Sequence, residues 1–220
     1  MRTAAFFDLD DTIINGNSGM RIVVHYFFKG KLSIFNAADI SVKYFWYIIG
    51  RSKPFPFFRK LYKFLKGKDY KFEEKYCAEF FDKYISKLVY KEAKKRILWH
   101  KKRGHFVAIV TNSLEMMVKN ITVKLYVDKL VASKLELKNG MITGRTRLIS
   151  FGKNKAKIIK ELAKKFDLDL KKSYAYSDNN SDIAMLSVVG KPYAVNPQRK
   201  MRKHAKKQNW KIMYFQDTIG

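Results

Sequence analysis

Acidic residues are scarce in this chain: 19 Asp and Glu stand against 46 Lys and Arg in 220 residues, a formal charge of +27. Cysteine is nearly absent. Cys77 stands alone, which excludes an internal disulfide and fits a reducing compartment. Long hydrophobic runs are missing too. The longest uncharged apolar pieces, such as Tyr44 to Gly50, fall far short of the roughly 20 residues of a membrane span, so no transmembrane segment is expected. The start, MRTAAFFDLDD, has acids where a secretion signal keeps a longer apolar stretch. No such signal is expected, and the protein reads as cytoplasmic. Internal repeats and low-complexity segments are lacking, which excludes a solenoid. Arginine is scarcer than the charge implies, with 36 Lys against 10 Arg. Arginine dominates where phosphates or bases are read bidentately, whereas lysine is the usual solvated cation. The charge is therefore mainly surface character, and a nucleic-acid partner is not expected.

What is present is a folded protein. Hydrophobic residues make up 47% and aromatics 15% of the chain, enough for one core domain with a sizeable insert. Near its start, Ala4, Ala5, Phe6 and Phe7 form a short apolar run that reads as a strand covered on both faces. Asp8 and Asp10 follow, two residues apart, and then Thr12. As the strand ends, both acids can reach one pocket at its C-terminal edge, where open α/β sheets bind ligands. Two carboxylates this close repel each other unless a cation or a shared proton intervenes. Hard oxygen donors of this kind favour Mg2+.

After Asn15 the pattern turns helical. Ile22, Val23, Tyr26 and Phe27 share a helical spacing, as do Ile40, Tyr44, Tyr47 and Ile48, and Phe72, Tyr76, Phe80, Tyr84 and Leu88 form a four-residue stripe. Breaks at Lys29 to Lys31, Gly50 to Pro56 and Gly67 to Asp69 predict an insert of about four helices, with the stripes as its own core. Glu92 to Lys102 reads as a helix and Phe106 to Val110 as a strand ending at Thr111-Asn112-Ser113. Leu114 to Leu125 reads as one helix, and Leu130 to Leu137 with Met141 to Arg147 as a hairpin turning at Asn139-Gly140. Lys153 to Phe166 is a helix, Ser173 to Tyr176 a strand, Ile183 to Val188 a short helix, Pro192 to Val195 a last strand, and Gln198 to Lys207 a basic helix. The sum is an α/β core of residues 1–14 plus 98–220, built on a parallel sheet, with a helical insert at 15–97.

Three further strand or helix ends carry groups suited to phosphoryl chemistry. Thr111 offers a hydroxyl, and the amides of Asn112 and Ser113 are expected to open a helix as an anion cradle. Lys155 can supply a point charge to a phosphate or to a nucleophilic carboxylate. Asp178 and Asp182, at i and i+4, can set a third acid against a metal and hold its surroundings. An in-line nucleophile, a metal and cations over the equatorial oxygens are the parts phosphoryl transfer needs. His25, His100, His105 and His204 show no metal-ligand spacing and receive no role.

With FFDLDDT at 6–12, FVAIVTNS at 106–113, Lys155 in GKNKAKII and SDNNSD at 177–182, the chain resembles haloacid dehalogenase superfamily phosphatases. The insert between the first two motifs is similar to that of subfamily IB, which includes phosphoserine phosphatase. The tail from Asp182 to Met213 resembles that group's C-terminal signature. The resemblance implies a Rossmann-like core with a helical C1-type cap after the first strand, and a phosphoric monoester hydrolase. It implies Asp8 as nucleophile forming an aspartyl-phosphate and Asp10 as acid and then base. Thr111, Asn112 and Lys155 would bind the phosphoryl group, and Thr12, counted with them among the phosphate-binding residues, would bond the nucleophile's loop. Mg2+ would be held by Asp8, the backbone carbonyl of Asp10 and Asp178, with Asp182 orienting the shell.

One departure bears on the substrate. Phosphoserine phosphatases begin the insert with a glutamate that pairs with the substrate ammonium, and an ungapped count from the nucleophile places Asn17 there. A neutral amide cannot offset a buried cation. The expected substrate is therefore a small phosphomonoester other than free phosphoserine. The alternative is a phospholipid headgroup phosphate, as in a bacterial phosphatidylglycerophosphate phosphatase with a similar catalytic pattern. Peripheral contact with an anionic membrane would then run through Ile34 to Gly50 and Lys53 to Lys66. A third reading, a basic nucleic-acid-binding protein with a vestigial site, conflicts with the full set of catalytic groups and the few arginines.

Overall fold

A computed structural model describes residues 1–49, 51, 62–148 and 150–220. The break expected at Gly50 to Pro56, apart from residue 51, and residues 53–61 of the Lys53 to Lys66 segment lie outside the described residues.

The run AAFF forms β1 (Ala4–Phe7), with all four residues buried. Its two faces feed two cores. Ala5 and Phe7 pack with the insert helices, whereas Ala4 and Phe6 pack against the opposite helical layer. This explains why the run is apolar without alternation. The elements that follow are α1 (Ser18–Phe28), α2 (Ile34–Ile48), α3 (Tyr70–Phe80), α4 (Lys91–Lys102), β2 (Phe106–Leu114), α5 (Glu115–Val118), α6 (Ile121–Leu125), β3 (Lys129–Lys138) and β4 (Met141–Leu148). The chain ends with α7 (Lys153–Phe166), β5 (Tyr174–Ser177), α8 (Ile183–Leu186), β6 (Lys191–Val195), α9 (Arg199–Lys207) and β7 (Lys211–Met213).

The strands form one sheet in the order β4-β3-β2-β1-β5-β6-β7, parallel except for β4. The chain runs outward from β1 to β4 and then returns to the other side of β1 as β5. That reversal opens a crevice beyond the C-terminal tips of β2, β1 and β5, the place such sheets bind ligands. The β3–β4 turn has Asn139 and Gly140 both at positive φ, 50° and 78°, as a two-residue hairpin of type I′ requires.

Several elements depart from expectation. The helix expected over Leu114 to Leu125 is two short ones, because β2 runs on to Leu114 and the chain breaks at Lys119-Asn120. Asn120 is a poor helix former whose amide donates instead to Asp82. The strand β7 was not expected: at three residues it is too short to show alternation. The aromatic stripe of the insert is also displaced. The buried positions are Glu73, Cys77 and Phe80, followed by Phe81 and Ile85 in a π-helical turn over 81–85. Phe72 and Tyr84 remain exposed. The wide turn rotates the buried face, and Lys31, whose Nζ lies 3.6 Å from the Tyr76 ring centre and 5.1 Å from that of Phe72, covers the outer aromatics. Buried Glu73 is satisfied by the Tyr26 hydroxyl and by Lys68 at 3.6 Å.

The boundary expected at residue 97 falls inside α4, a continuous helix that buries Ala93, Ile97 and His100. The paired crossing lies earlier. Asn15 N–H donates to the Leu88 carbonyl (2.8 Å) and Tyr90 N–H to the Ile13 carbonyl (2.9 Å), so the chain leaves and returns side by side.

Candidate active site

Asp8 is the first residue beyond β1, and its N–H donates to the Tyr176 carbonyl of β5 at 2.9 Å. The chain then folds sharply. The N–H groups of Thr12, Ile13 and Ile14 converge on the Leu9 carbonyl at 3.3, 2.8 and 3.0 Å. Asp11 takes a left-handed conformation (φ 55°), and its carboxylate accepts from Gly16 N–H at 2.9 Å. Aspartate tolerates that region because its short polar side chain bonds locally. The turn brings both Asp8 and Asp10 to a cleft of about 730 Å3 that is also lined by Thr111, Lys155, Asp178 and Asp182. The residues singled out from four distant stretches thus meet in one place.

Lys155, near the start of α7, is buried and reaches Asp8 Oδ1 at 2.7 Å and Asp182 Oδ2 at 2.6 Å. Ser177 Oγ donates to the same Asp182 oxygen at 2.7 Å. Asp182 therefore anchors the lysine. Asp10 is held from the insert and the core together: Ser18 N–H donates to Oδ1 at 2.8 Å and Ser113 Oγ to Oδ2 at 2.7 Å, while Ser18 Oγ and Ser113 Oγ lie 2.9 Å apart. Asp178 accepts from Gln198 Nε2 at 3.3 Å and from Thr12 Oγ1 at 3.3 Å, and its N–H donates to that hydroxyl at 3.1 Å.

Four expected residues take different positions. Thr12 is fully buried and tied to Asp178, so it braces an acid beneath the cleft and does not face a substrate phosphate. The amides of Asn112 and Ser113 do not open a helix, since α5 starts only at Glu115. Ser113 N–H donates to Thr111 Oγ1 at 3.1 Å, and the register of β2 against β3 shifts over this stretch. Asn17 lines the cleft, but its side-chain oxygen caps α1 by accepting from Met20 N–H at 2.9 Å. The side chains of Ser18, Ser113, Ser177 and Gln198 carry no role in the sequence reading. Single hydroxyls and an amide at the ends of elements carry no periodic signal.

Electrostatics follow from burial. Asp8 is pushed up from 3.8 to about 7, chiefly by desolvation and further by Asp182 and Asp10, against the pull of Lys155. Burial also raises Asp10, opposed by its bonds from Ser18 and Ser113. Asp178 is raised well above the usual range by burial and by Asp8, Asp11 and Asp182. Burial pulls the Lys155 ammonium down, but Asp182 and Asp8 outweigh it and leave its pKa raised, so it stays charged.

These values bear on a metal. Among the described residues no three Asp, Glu, His or Cys side chains form a ligating group. The Asp10 carboxylate is spent on two serines and Asp182 on Lys155 and Ser177. What remains is a hard-oxygen set of Asp8, Asp178 and the Asp10 carbonyl, completed by water. Two buried carboxylates, both raised by desolvation and by neighbouring acids, are the donors a divalent cation relieves, so the residues fit Mg2+.

The opposite wall of the cleft is apolar, with Tyr44, Ile49, Tyr62, Leu114, Met117 and Phe151, and Arg199 and Lys200 stand at its rim. The histidines lie elsewhere. His100 is buried behind β5, with Nδ1 2.8 Å from His105 Nδ1 and Nε2 2.9 Å from the Tyr176 hydroxyl.

The family description of haloacid dehalogenase-like hydrolases matches residues 5–187. A Streptomyces azureus protein named "Inhibition of morphological differentiation protein" is 32% identical over 222 residues, covering 99% of this chain and 80% of that one. A Mycobacterium tuberculosis protein named as a probable phosphatase is 32% identical over 222 residues, covering 100% and 77%. A solved structure titled as a phospho-aspartyl intermediate analogue of phosphoserine phosphatase shares the fold. Its TM-score is 0.73 at 22% identity, over 99% of this chain and 95% of that one.

Proposed function

The chain belongs to the haloacid dehalogenase-like hydrolases, and on that premise we propose that it is a phosphatase hydrolysing a phosphomonoester through an aspartyl-phosphate on Asp8. The observation that carries this reading is the division of labour between two neighbouring buried acids. Lys155 fixes Asp8 through Oδ1 and leaves Oδ2 to attack. Asp10 stands beside it, and burial shifts its carboxyl toward the protonated form that a general acid needs, against the bonds from Ser18 and Ser113.

Asp8 Oδ2 attacks phosphorus as the ester P–O bond breaks, and Asp10 gives its proton to the departing alkoxide oxygen. Asp10, now a carboxylate, takes a proton from water. That water attacks phosphorus and breaks the bond to Asp8, releasing inorganic phosphate and restoring both acids. Thr111 and Lys155 hold the phosphoryl oxygens. Asp8, Asp178 and the Asp10 carbonyl would hold Mg2+, which would supply positive charge to keep Asp8 ionised and to offset charge on the phosphate. The helices between residues 15 and 89 act as a cap on the core 1–14 plus 90–220, and Ser18 of α1 reports cap position to Asp10 through its N–H.

Among the described residues the leaving group faces Tyr44, Tyr62 and Met117 and no carboxylate from the cap, so free phosphoserine is a poor substrate. A phosphate on a lipid headgroup is the second reading, favoured by Ile49, which is exposed and yet lines the cleft. A cytoplasmic setting agrees with the lone, buried Cys77.

The test is a phosphomonoester panel with Mg2+, run beside Asp8→Asn. Hydrolysis in the parent and none in the variant is expected; equal rates would remove Asp8 from the mechanism. Turnover of phosphoserine with a kcat/KM matching the best ester in the panel would overturn the substrate argument.

A further inference from the structure

The outer face of α2 is apolar where a solvated helix face is normally polar. Phe35, Ala38, Val42, Phe45 and Ile49 recur at spacings of three and four residues, which places them on one side of the helix, and all are exposed, Phe35 by 84%. Ile40 points the other way and is fully buried. Beside this stripe a groove of about 360 Å3 runs between α1 and α2, lined by Val24, Phe28 and Ile34 among others, with Ser41 its one polar residue. Monomeric proteins seldom leave so continuous an apolar surface uncovered.

Two observations identify what covers it. The first is continuity with the cleft: Ile49, at the end of the stripe, lines the active-site mouth, and Arg199 and Lys200 line it from the start of α9. The second is charge. The helix α9 buries only Met201 and Ala205, exposes six cations and has no acid. From Ser18 to Arg51, the described residues hold Arg21, Lys29, Lys31, Lys43 and Arg51 against Asp39, which is paired with Lys43. A second copy would match the apolar stripe but would set one +27 chain against another. Nucleic acid would match the charge and leave the phenylalanines in water. An anionic bilayer satisfies both, taking apolar side chains into the headgroup boundary and pairing lysines with lipid phosphates.

We propose that the exposed α1–α2 face and the basic helix α9 seat this protein on an anionic lipid bilayer, with the cleft mouth at the membrane surface. The cleft then takes its phosphomonoester from a lipid headgroup, a step that rests on the phosphatase reading; the docking itself does not.

The experiment is sedimentation of the full chain with vesicles of phosphatidylcholine alone, or with about 30% phosphatidylglycerol, at about 150 mM salt. Rates on soluble p-nitrophenyl phosphate are measured alongside. The parent is expected to bind the anionic vesicles about tenfold or more tightly than the neutral ones. Phe35→Glu with Phe45→Glu, neither of which lines the cleft, should weaken binding by about tenfold or more and leave the soluble rate unchanged. Trp46, part of the same exposed surface, should shift its emission to the blue on binding, and Trp46→Phe should lose that shift. Absence of parental binding overturns the docking and leaves the phosphatase reading intact, as does equal binding by the double variant. A parental dimer that the double variant dissolves would assign the face to a second copy. Binding with no hydrolysis of any ester would sink the lipid-substrate half alone.

Discussion

Replacing Lys155 by methionine tests the electrostatic core of the site. The ammonium is 2% exposed and lies 2.7 Å from Asp8 and 2.6 Å from Asp182. Removing it strands two buried carboxylates, and breaking a buried pair from one side costs about 3–5 kcal/mol. At about 2–4 °C per kcal/mol for a chain of this size, the melting temperature should fall by about 6–20 °C. The loss should depend on pH with a definite sign. Even beside Lys155, burial lifts Asp8 from 3.8 to about 7, and without the lysine it rises further. An acid whose folded value exceeds its unfolded value gives full stability below the unfolded value and loses it as pH rises through the folded one. The melting deficit of the variant should therefore be small at pH 5 and grow from about pH 7 upward, so that it is clearly larger at pH 8. Adding Asp182→Asn removes one stranded charge and should restore about 1–3 kcal/mol with no return of activity. Activity itself should fall about 100- to 1,000-fold, the usual effect of deleting one preorganised charge at the reacting centre. Thermal melts at the two pH values and p-nitrophenyl phosphate rates decide it. An equal deficit at both pH values, or a rate within about threefold of the parent, would refute the reasoning.

Asp10→Asn should lower kcat by about 100- to 10,000-fold with little change in melting temperature, because the amide keeps an acceptor for Ser18 N–H; an active variant would remove Asp10 as acid. Mg2+ at about 100 times its dissociation constant should add about 2.7 kcal/mol at pH 8 and much less at pH 5, where Asp8 holds its proton and burial favours the neutral form of Asp178, and chelation should abolish hydrolysis. Equal thermal shifts at both pH values would count against those two ligands. His100, pushed down to about 3 by burial and by the charges of His105 and Arg96, acts in the opposite direction: its stability is full above 6.5 and declines as pH falls. The stability gap between parent and His100→Asn should narrow by about 2 kcal/mol from pH 7 to pH 5. The difference cancels the carboxylate contributions shared by both proteins, and a constant gap would refute the assignment.

The strand ends were legible because each combines a period with a stop. AAFF and FVAIV are apolar runs too short for helices, and each is closed by polar residues, so Asp8 and Thr111 could be placed at tips without knowing the sheet. The order of the strands was not legible, and it decides which tips are neighbours: β1 lies between β2 and β5, which brings Thr111, Asp8 and Asp178 together. The supports of the site were hidden for a different reason. Ser18 and Ser113, 95 positions apart in sequence, meet only over the Asp10 carboxylate, and Thr12 serves Asp178 across 166 positions. No local pattern encodes such pairs. The aromatic stripe of the insert misled because spacing alone cannot foresee a π turn at 81–85, or a buried glutamate paid for by Tyr26 and Lys68.

Charge shows how sequence and site join. The chain has 19 acids, and five of them, Asp8, Asp10, Asp11, Asp178 and Asp182, line one cleft with a single buried lysine. In a chain of +27 this is a concentrated negative spot inside a positive surface. The surface draws an anionic ester toward the mouth, but the bare floor repels it at close range. Protonation relieves that repulsion in part, and burial with the neighbouring acids raises both Asp8 and Asp178. On the proposed mechanism a proton on Asp8 removes the nucleophile, so the relief that suits stability opposes catalysis. A divalent cation held beside Asp8 and Asp178 would relieve the conflict, because it would favour the ionised form of Asp8 and offset part of the negative charge of the floor toward phosphate. On the proposed reading, the acids that make the bare cleft unfavourable to an anion are thus the ones that would hold a cation and, through it, a phosphorylated ligand.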